Sequence, residues 1–260
     1  MEITILGSGN VATHLGEAFS KAGHRINQVY SRTEAHARAL AGQLGAEAIN
    51  DLDRLDTRVP LFIIAVSDDA IPSVVGRLPQ GLQGMVVHTS GTTSIAALSG
   101  QHRYGVLYPL QTFSKAKEID FRAVPLALEA SDSEGMALLA SLAKTLSDTV
   151  FPCDSTQRLS LHVAAVFACN FTNHLYAVAA AILARKGLPF DLIKPLVMET
   201  AEKVQALHPL EAQTGPAVRN DRDTMGKHLE FLRDDAEWKH LYEMLSVAIL
   251  REAKSPSDPE

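Results

Sequence analysis

The chain has 260 residues, 46% hydrophobic and 21% charged, an ordinary globular composition that excludes disordered, collagen-like and coiled-coil classes and leaves room for one large domain or two smaller ones. Its formal net charge of -6 offers no basic footprint for a nucleic acid. Two cysteines, Cys153 and Cys169, are too few for a disulfide framework and point to a reducing compartment.

No basic region precedes an apolar stretch at the N-terminus, and the longest apolar run, 175–184, falls short of the roughly 20 residues a membrane span needs. A cytoplasmic protein with no membrane partner is expected. Residues 3–6 form a short apolar run closed by Gly7, after which Val11, Ala12, Leu15, Gly16 and Phe19 recur at helical spacing up to Ala22, with Gly23 as the stop. Residues 26–30 read as a second strand, and 33–44 as an Ala-rich helix opened by a Thr cap and closed by Gly45. The continuously apolar stretch 61–66 suits a central parallel strand covered on both faces. A helix over 69–78 and further strands at 85–89, 104–107, 123–128 and 149–151 complete an α/β half. Strand and helix in alternation predict a doubly wound, parallel Rossmann-type sheet over 1–154.

Beyond residue 154 the period changes. Residues 155–186 carry no strand signal and predict one long helix or two in series. Helices follow over 192–207 and 235–253, with a turn-rich stretch around 214–223 between them. The second half, 155–260, is therefore expected to be all-helical, and the tail 255–260 is expected to fray.

Gly7-Ser8-Gly9-Asn10-Val11-Ala12 fits G-x-G-x-x-A and stands between the first strand and the first helix, the context that gives the pattern meaning. Gly7 permits the tight turn, Gly9 lets backbone approach a pyrophosphate, and Ala12 allows close helix packing. Free N–H groups at the helix start favour the anion. Where an NAD site would place an acid at the end of the second strand, this chain has Ser31-Arg32-Thr33, with no acid until Glu34. A guanidinium and hydroxyls suit a 2′-phosphate, so NADP is the expected cofactor. Val66 and Ser67 after the fourth strand, and His88-Thr89-Ser90-Gly91 after the fifth, are expected to flank the nicotinamide. His88 is a candidate proton donor there or a hydrogen-bonded core histidine. Asp68 and Asp69 read as caps of the following helix, ahead of a paired-carboxylate role.

His162, Asn170, Asn173 and His174 interrupt an otherwise apolar helix. At about 100° per residue they share one sector, facing another helix, a polar cleft or a substrate. A metal is not expected, since His162 and His174 stand three turns apart with no carboxylate beside them. Arg219, in Thr214-Gly215-Pro216-Ala217-Val218-Arg219-Asn220-Asp221, could clamp a carboxylate or phosphate of the substrate, and Asp221 or Asp223 could cap the helix carrying His228.

With GSGNVA at 7–12, YSR at 30–32, AVSDDAI at 65–71, HTSG at 88–91, YPLQTFS at 108–114, HVAAVFACNFTNHL at 162–175 and TGPAVRND at 214–221, the chain resembles a bacterial NADP oxidoreductase family that joins a Rossmann-like domain to a helical C-terminal domain of unknown function. The wider arrangement is similar to pyrroline-carboxylate reductases and β-hydroxyacid dehydrogenases. The resemblance implies a 6-phosphogluconate-dehydrogenase-like C-terminal domain, a homodimer formed through it, and an active site completed over the nicotinamide. β-Hydroxyacid dehydrogenases carry a catalytic lysine three residues before an asparagine on the first long helix of the second domain. Here Asn170 stands three before Asn173, and no lysine lies between Gln157 and Leu183. An amide is not a general acid, so His162, His174 or His88 must supply the proton, or the substrate brings its own as a protonated imine. His162, Asn170 and His88 are the candidate catalytic set, and Asn173, His174 and Arg219 the candidate substrate contacts. The function implied is NADPH-dependent reduction of a small carbonyl or imine. The alternatives are a non-catalytic NADP-binding sensor or scaffold and a reductase using a deazaflavin carrier.

Overall fold

The computed structural model describes residues 1–114 and 117–254; the tail at 255–260 lies outside the described residues. The first unit builds a mostly parallel sheet strand by strand: β1 (Glu2–Leu6), β2 (Arg25–Tyr30), β3 (Glu47–Ile49), β4 (Leu61–Ile64), β5 (Met85–His88), β6 (Tyr104–Pro109), β7 (Leu126–Ala130) and β8 (Val150–Pro152). Their order is β3-β2-β1-β4-β5-β6-β7-β8. Helices α1 (Asn10–Lys21), α2 (Glu34–Leu44), α3 (Ile71–Val75) and α4 (Ser133–Ala143) belong to the same half.

Residue alternation on the central strand explains why the sheet is covered twice. On β4, Leu61 and Ile63 join Ile3, Ile5, Leu15 and Phe19 in one buried cluster, while Phe62 and Ile64 join Leu6, Tyr30 and Ile71 in another. Successive side chains point to opposite faces, and a strand apolar throughout needs a layer on each. Each such side chain contributes about 1.5–3 kcal/mol when fully buried.

Four elements depart from the sequence reading. The strand expected at 123–128 runs from Leu126 to Ala130, because Asp120 caps a 3-10 turn at Phe121–Ala123 and takes up its start. This β7 is antiparallel to β6, with Leu107 opposite Leu128; among the described residues no α-helix stands between them to make the crossover that a parallel pair needs. Helix α4 then supplies the crossover that makes β8 parallel to β7. The helix expected over 69–78 is a 3-10 turn at Asp68–Ala70 followed by the short α3, with Pro72 in its first turn. Strand β3 and helix α4 were not read from the sequence.

By compactness the chain divides into residues 1–170 and 171–260. Helix α5 (Ser155–Ala165), which the sequence reading groups with the helical half, falls in the first unit. It opens on a capping box: Asp154 accepts from the Thr156 and Gln157 amides, both at 2.8 Å, and Gln157 accepts from the Asp154 amide at 3.0 Å. A π-helical segment, Val166–Phe171, leads into α6 (Thr172–Ala184), so the stretch from 155 is one helix with an interruption.

The second unit continues with α7 (Lys194–Ala206), α8 (Pro209–Ala212), α9 (Arg222–Phe231) and α10 (Ala236–Lys254). Arg185 is pinned by the Asp235 carboxylate and lies 4.2 Å from the centre of the Trp238 ring. Asp221 is the cap of α9, accepting from the Thr224 amide at 3.1 Å, and these bonds hold its carboxyl below the usual range.

Candidate functional site

The loop from β1 into α1 carries the first part of the site. Gly7 has φ +139°, and a Cβ on it would lie 2.1 Å from the Ala65 carbonyl oxygen, so no side chain fits where β1 leaves the sheet. Gly9 is different in kind: a Cβ there would meet nothing within 4 Å. The room it leaves belongs to a cavity of about 770 Å³ lined by Gly7, Ser8, Gly9, Asn10, Val11, Ser31, Arg32, Val66 and Ser67 among others. Helix α1 has no side-chain cap and no acidic residue in its first turn, which leaves its first N–H groups for an anion.

Two arginines belong to the same cavity. Arg32 lies exposed, without an ion pair or hydrogen bond among the described residues, and His36 and Arg77 line the same cavity. Glu34, the nearest acid in sequence, is engaged by Arg38 at 2.5 Å. Ser31 shares its hydroxyl with Ser8 at 3.0 Å, linking the two loops. These residues fit a dinucleotide carrying a 2′-phosphate.

Several expected contacts turn out otherwise. Asn10 lines the cavity, but its amide also donates to the Phe113 carbonyl at 2.9 Å, tying the loop after β6 to the start of α1. Ala12 is buried and serves helix packing, as expected. Thr89 is not on the cavity wall: its backbone amide donates to the Ile64 carbonyl at 3.2 Å, and its side chain is buried between strands. Asp68 caps nothing, since Ser67 precedes the turn, and its carboxylate instead accepts from the Thr92 hydroxyl at 2.5 Å.

His88 is fully buried, and its Nδ1 accepts from the Ser90 amide at 3.2 Å. Burial, reinforced by the charge of Arg158, pushes its pKa down to about 4 against the opposing pull of the Ser94 backbone, Asp68 and Glu129. Among the described residues its Nε2 meets no partner at full hydrogen-bond geometry, the Ser94 backbone being a weak neighbour. A neutral imidazole with no exposed edge cannot serve a substrate as proton donor, so the expected catalytic role for His88 gives way to a structural one.

The imidazole that the structure leaves available is His162. It sits on α5, half-buried, with Nδ1 3.0 Å from the Tyr108 hydroxyl at the end of β6. Its ring lies against Gly91, where a Cβ would come within 2.5 Å of Nδ1. Tyr108 is 8% exposed, and burial raises its pKa, which keeps it a phenol. Asp68 and Thr92 connect this pair to the cavity: Ser67 and Asp69 on either side of Asp68 line the cavity, and Thr92 follows Gly91.

One turn before His162, Arg158 anchors the same loop. Its guanidinium is 1% exposed, pairs with Glu129, and donates to the carbonyls of Ser90 at 3.1 Å and Thr93 at 2.6 Å. Ser155 bridges Glu129 and the Ile95 amide. Sequence reasoning missed Tyr108, Arg158, His36 and Arg77. The i, i+4 spacing of Arg158 and His162, and the place of Tyr108 at a strand's carboxyl end, were the available signals.

The remaining candidates do not lie on a buried helix. The helix is half-buried or exposed along almost its whole length, with Asn170, Asn173 and His174 all exposed. The π turn also winds differently from an α-helix, so a count of about 100° per residue does not carry from His162 to Asn173. Asn173, His174 and Arg219 belong to the second unit, with Arg219 exposed beside Asp221.

Fold and cavity together define a Rossmann-type α/β domain followed by a helical second half. Residues 1–113 match the model of a Rossmann-like domain, and residues 124–249 that of a domain of unknown function, DUF2520. A crystal structure of a protein from Bacteroides fragilis, described as a "putative NADP oxidoreductase", is 46% identical, with 96% of this chain and 98% of that one covered and a TM-score of 0.91. The chain belongs to the family of this Bacteroides protein, a Rossmann-like domain joined to DUF2520. More distant likenesses are to 1-pyrroline-5-carboxylate reductase of Streptococcus pyogenes (14% identity, 98% of each chain, TM-score 0.64) and a reductive aminase of Aspergillus terreus in complex with NADPH (18% identity, 96% of this chain and 94% of that one, TM-score 0.73). At these identities the likeness is one of fold. None of the curated proteins matches the chain in sequence.

Proposed function

We propose that the protein is an NADPH-dependent reductase of a small carbonyl or imine compound. The observation that carries this reading is the unpaired Arg32 at the end of β2, with Arg77 and His36 on the same cavity and no free acid where an NAD site would have one. The Bacteroides relative's description supports the cofactor, and the fold shared with imine-reducing enzymes supports the substrate class. Gly9 and the start of α1 would hold the pyrophosphate, and Ser31 and Arg32 the 2′-phosphate. Bound NADPH supplies a hydride. His162, adjoining the cavity wall through Gly91, Thr92 and Asp68, would supply the proton.

We further infer that the helical unit is covered by a second copy of the chain. Among described hydrophobic residues from 171 onward, only Ala217 and Leu232 are buried. The helix from 155 to 184 is long and apolar enough to cross a membrane, at mean hydropathy 1.4, but Asn170, Asn173 and His174 along it suit a protein surface better than lipid. A sedimentation profile at the 28.1 kDa of one chain would remove this reading.

The test of the cofactor is thermal stability with NADPH, with NADH and with neither. A ligand at about 100 times its Kd adds about 2.7 kcal/mol to the native state. A shift with NADPH alone is expected, and no shift with either would remove the reductase reading. A second reading, an NADP-binding protein without turnover, is favoured by the amide of Asn170 at the place of the lysine used by β-hydroxyacid dehydrogenases. It predicts the same shift and no reduction of any keto acid or cyclic imine.

A further inference from the structure

We propose that Tyr108 is a positioning residue for the proton transfer, holding His162 by Nδ1 so that Nε2 alone is left to meet the substrate. This inference rests on the reductase reading. The imidazole is fixed on two sides: Tyr108 reaches Nδ1 at 3.0 Å from the end of β6, and the ring rests on Gly91, where any side chain would strike it. Nε2 carries no hydrogen bond among the described residues. The rings meet edge-on, with centroids 6.1 Å apart and planes 63° apart, so the contact constrains the imidazole's tilt as well as its rotation.

The surroundings decide which member of the pair gives up a proton. Tyr108 is buried, feels the charges of Asp68, Cys153 and Arg158, and stays protonated because burial raises its pKa. It therefore serves as the fixed partner. In the acid form of His162, Nδ1–H donates to the Tyr108 oxygen and Nε2–H donates to the oxygen or nitrogen of the substrate. As the hydride's electron pair arrives at the substrate carbon, the π pair of the C=O or C=N bond takes the proton from Nε2. The imidazolium becomes a neutral imidazole still bonded at Nδ1, and solvent restores the proton at Nε2. The balance is one C=X bond, one hydride from NADPH and one proton giving an alcohol or amine and NADP+. His88, buried on β5, Cys153, whose thiol burial raises, and Glu129, paired with Arg158 from β7, are the other titratable groups around Arg158 and take no part.

Two readouts test this, one of them independent of turnover. In imidazole-labelled protein at pH 5, the Hδ1 proton of His162 should give a slowly exchanging NMR signal, lost in Tyr108→Phe. In the active enzyme the same variant should lower kcat at least about tenfold while the KM for NADPH stays within about twofold. Gly91→Ala, which puts a methyl group against Nδ1, should remove the same signal and covers the case in which the tyrosine variant does not fold. An unchanged Hδ1 signal in both variants, or an unchanged kcat in Tyr108→Phe, overturns the proposal. If the signal responds but the wild type reduces no carbonyl or imine, the reductase reading fails and the catalytic assignment falls with it, while Tyr108 is still seen to hold the ring.

Discussion

The two compact units differ in what they do with their apolar side chains. Residues 1–170 bury them on both faces of a single sheet, in clusters led by Ile3, Ile5 and Phe19 on one side and Leu6, Phe62 and Ile64 on the other. The helical unit leaves Leu192, Leu196, Met198, Phe231, Met244 and Val247 all more than half exposed. A doubly wound sheet is complete within one chain, whereas a set of helices with exposed apolar residues is, on the dimer proposed above, half of an interface. The first unit therefore holds a cavity complete in itself, while the proposed second copy would supply the cover of the second.

The sharpest way to break this comparison is to attack the anchor that places α5 with the first unit. Arg158→Met leaves the Glu129 carboxylate largely buried and uncompensated, and stability should fall by about 3–5 kcal/mol, read from the urea midpoint. Adding Glu129→Leu should recover most of the loss, because an apolar pair of similar volume can replace a buried ion pair. A loss below about 1 kcal/mol in the single variant would mean that α5 contributes little to the first unit.

His88 gives the next largest effect, and its sign follows from the proton balance. The unfolded chain protonates this histidine below about pH 6.5, while the folded protein resists until about pH 4. Acid therefore favours unfolding: stability present in full above pH 6.5 is lost as the pH falls to 4, by about 3 kcal/mol in all. His88→Asn keeps an acceptor for the Ser90 amide and should flatten this part of the pH dependence. Parallel curves for variant and wild type between pH 4 and 6.5 would show that the buried imidazole titrates normally.

What the sequence made legible follows the same division. The β1 loop, α1 and the Ser31-Arg32 pair are local features, written in adjacent residues, and all of them line or support one cavity. Tyr108 and His162, 54 residues apart, meet only because an antiparallel β7 and a capped α5 bring them together. Arg158 and Glu129 are likewise joined by topology and not by any short pattern. Thr89 was placed at the site by the rule that loops at strand ends face ligands, but hydrogen bonding to Ile64 took it inward. The long helix differs from its reading in another way: a run of apolar residues predicts burial and regular winding, whereas the helix is largely exposed and a π segment interrupts it.

The exposed helical face can be sharpened with one charge. Leu196 is 65% exposed in the single chain. Covered by a second copy, it contributes up to about 1.5–3 kcal/mol per site, and Leu196→Lys should shift the sedimentation profile toward monomer at micromolar concentration. Left in water, the same change should alter stability by less than about 0.5 kcal/mol and leave the profile untouched. The second outcome would remove Leu196 from the interface.

The smallest effect expected here bears on the part of the molecule most fully described by its own residues. Arg32→Asp exchanges the unpaired guanidinium at the end of β2 for a carboxylate, the residue type an NAD site uses to bind a ribose hydroxyl. NADPH binding should weaken about tenfold or more, which corresponds to about 1.4 kcal/mol, because the carboxylate repels the 2′-phosphate. NADH, which lacks that phosphate, should bind no worse and gain a hydrogen bond. Arg77 and His36 remain on the cavity, so the loss is expected to be partial; adding Arg77→Ala should deepen it. Isothermal titration of both cofactors against the three proteins separates the possibilities. If NADPH affinity is unchanged in Arg32→Asp, the phosphate lies elsewhere and the cation wall is only a solvated rim; if both cofactors weaken equally, Arg32 supports the loop and does not choose between them.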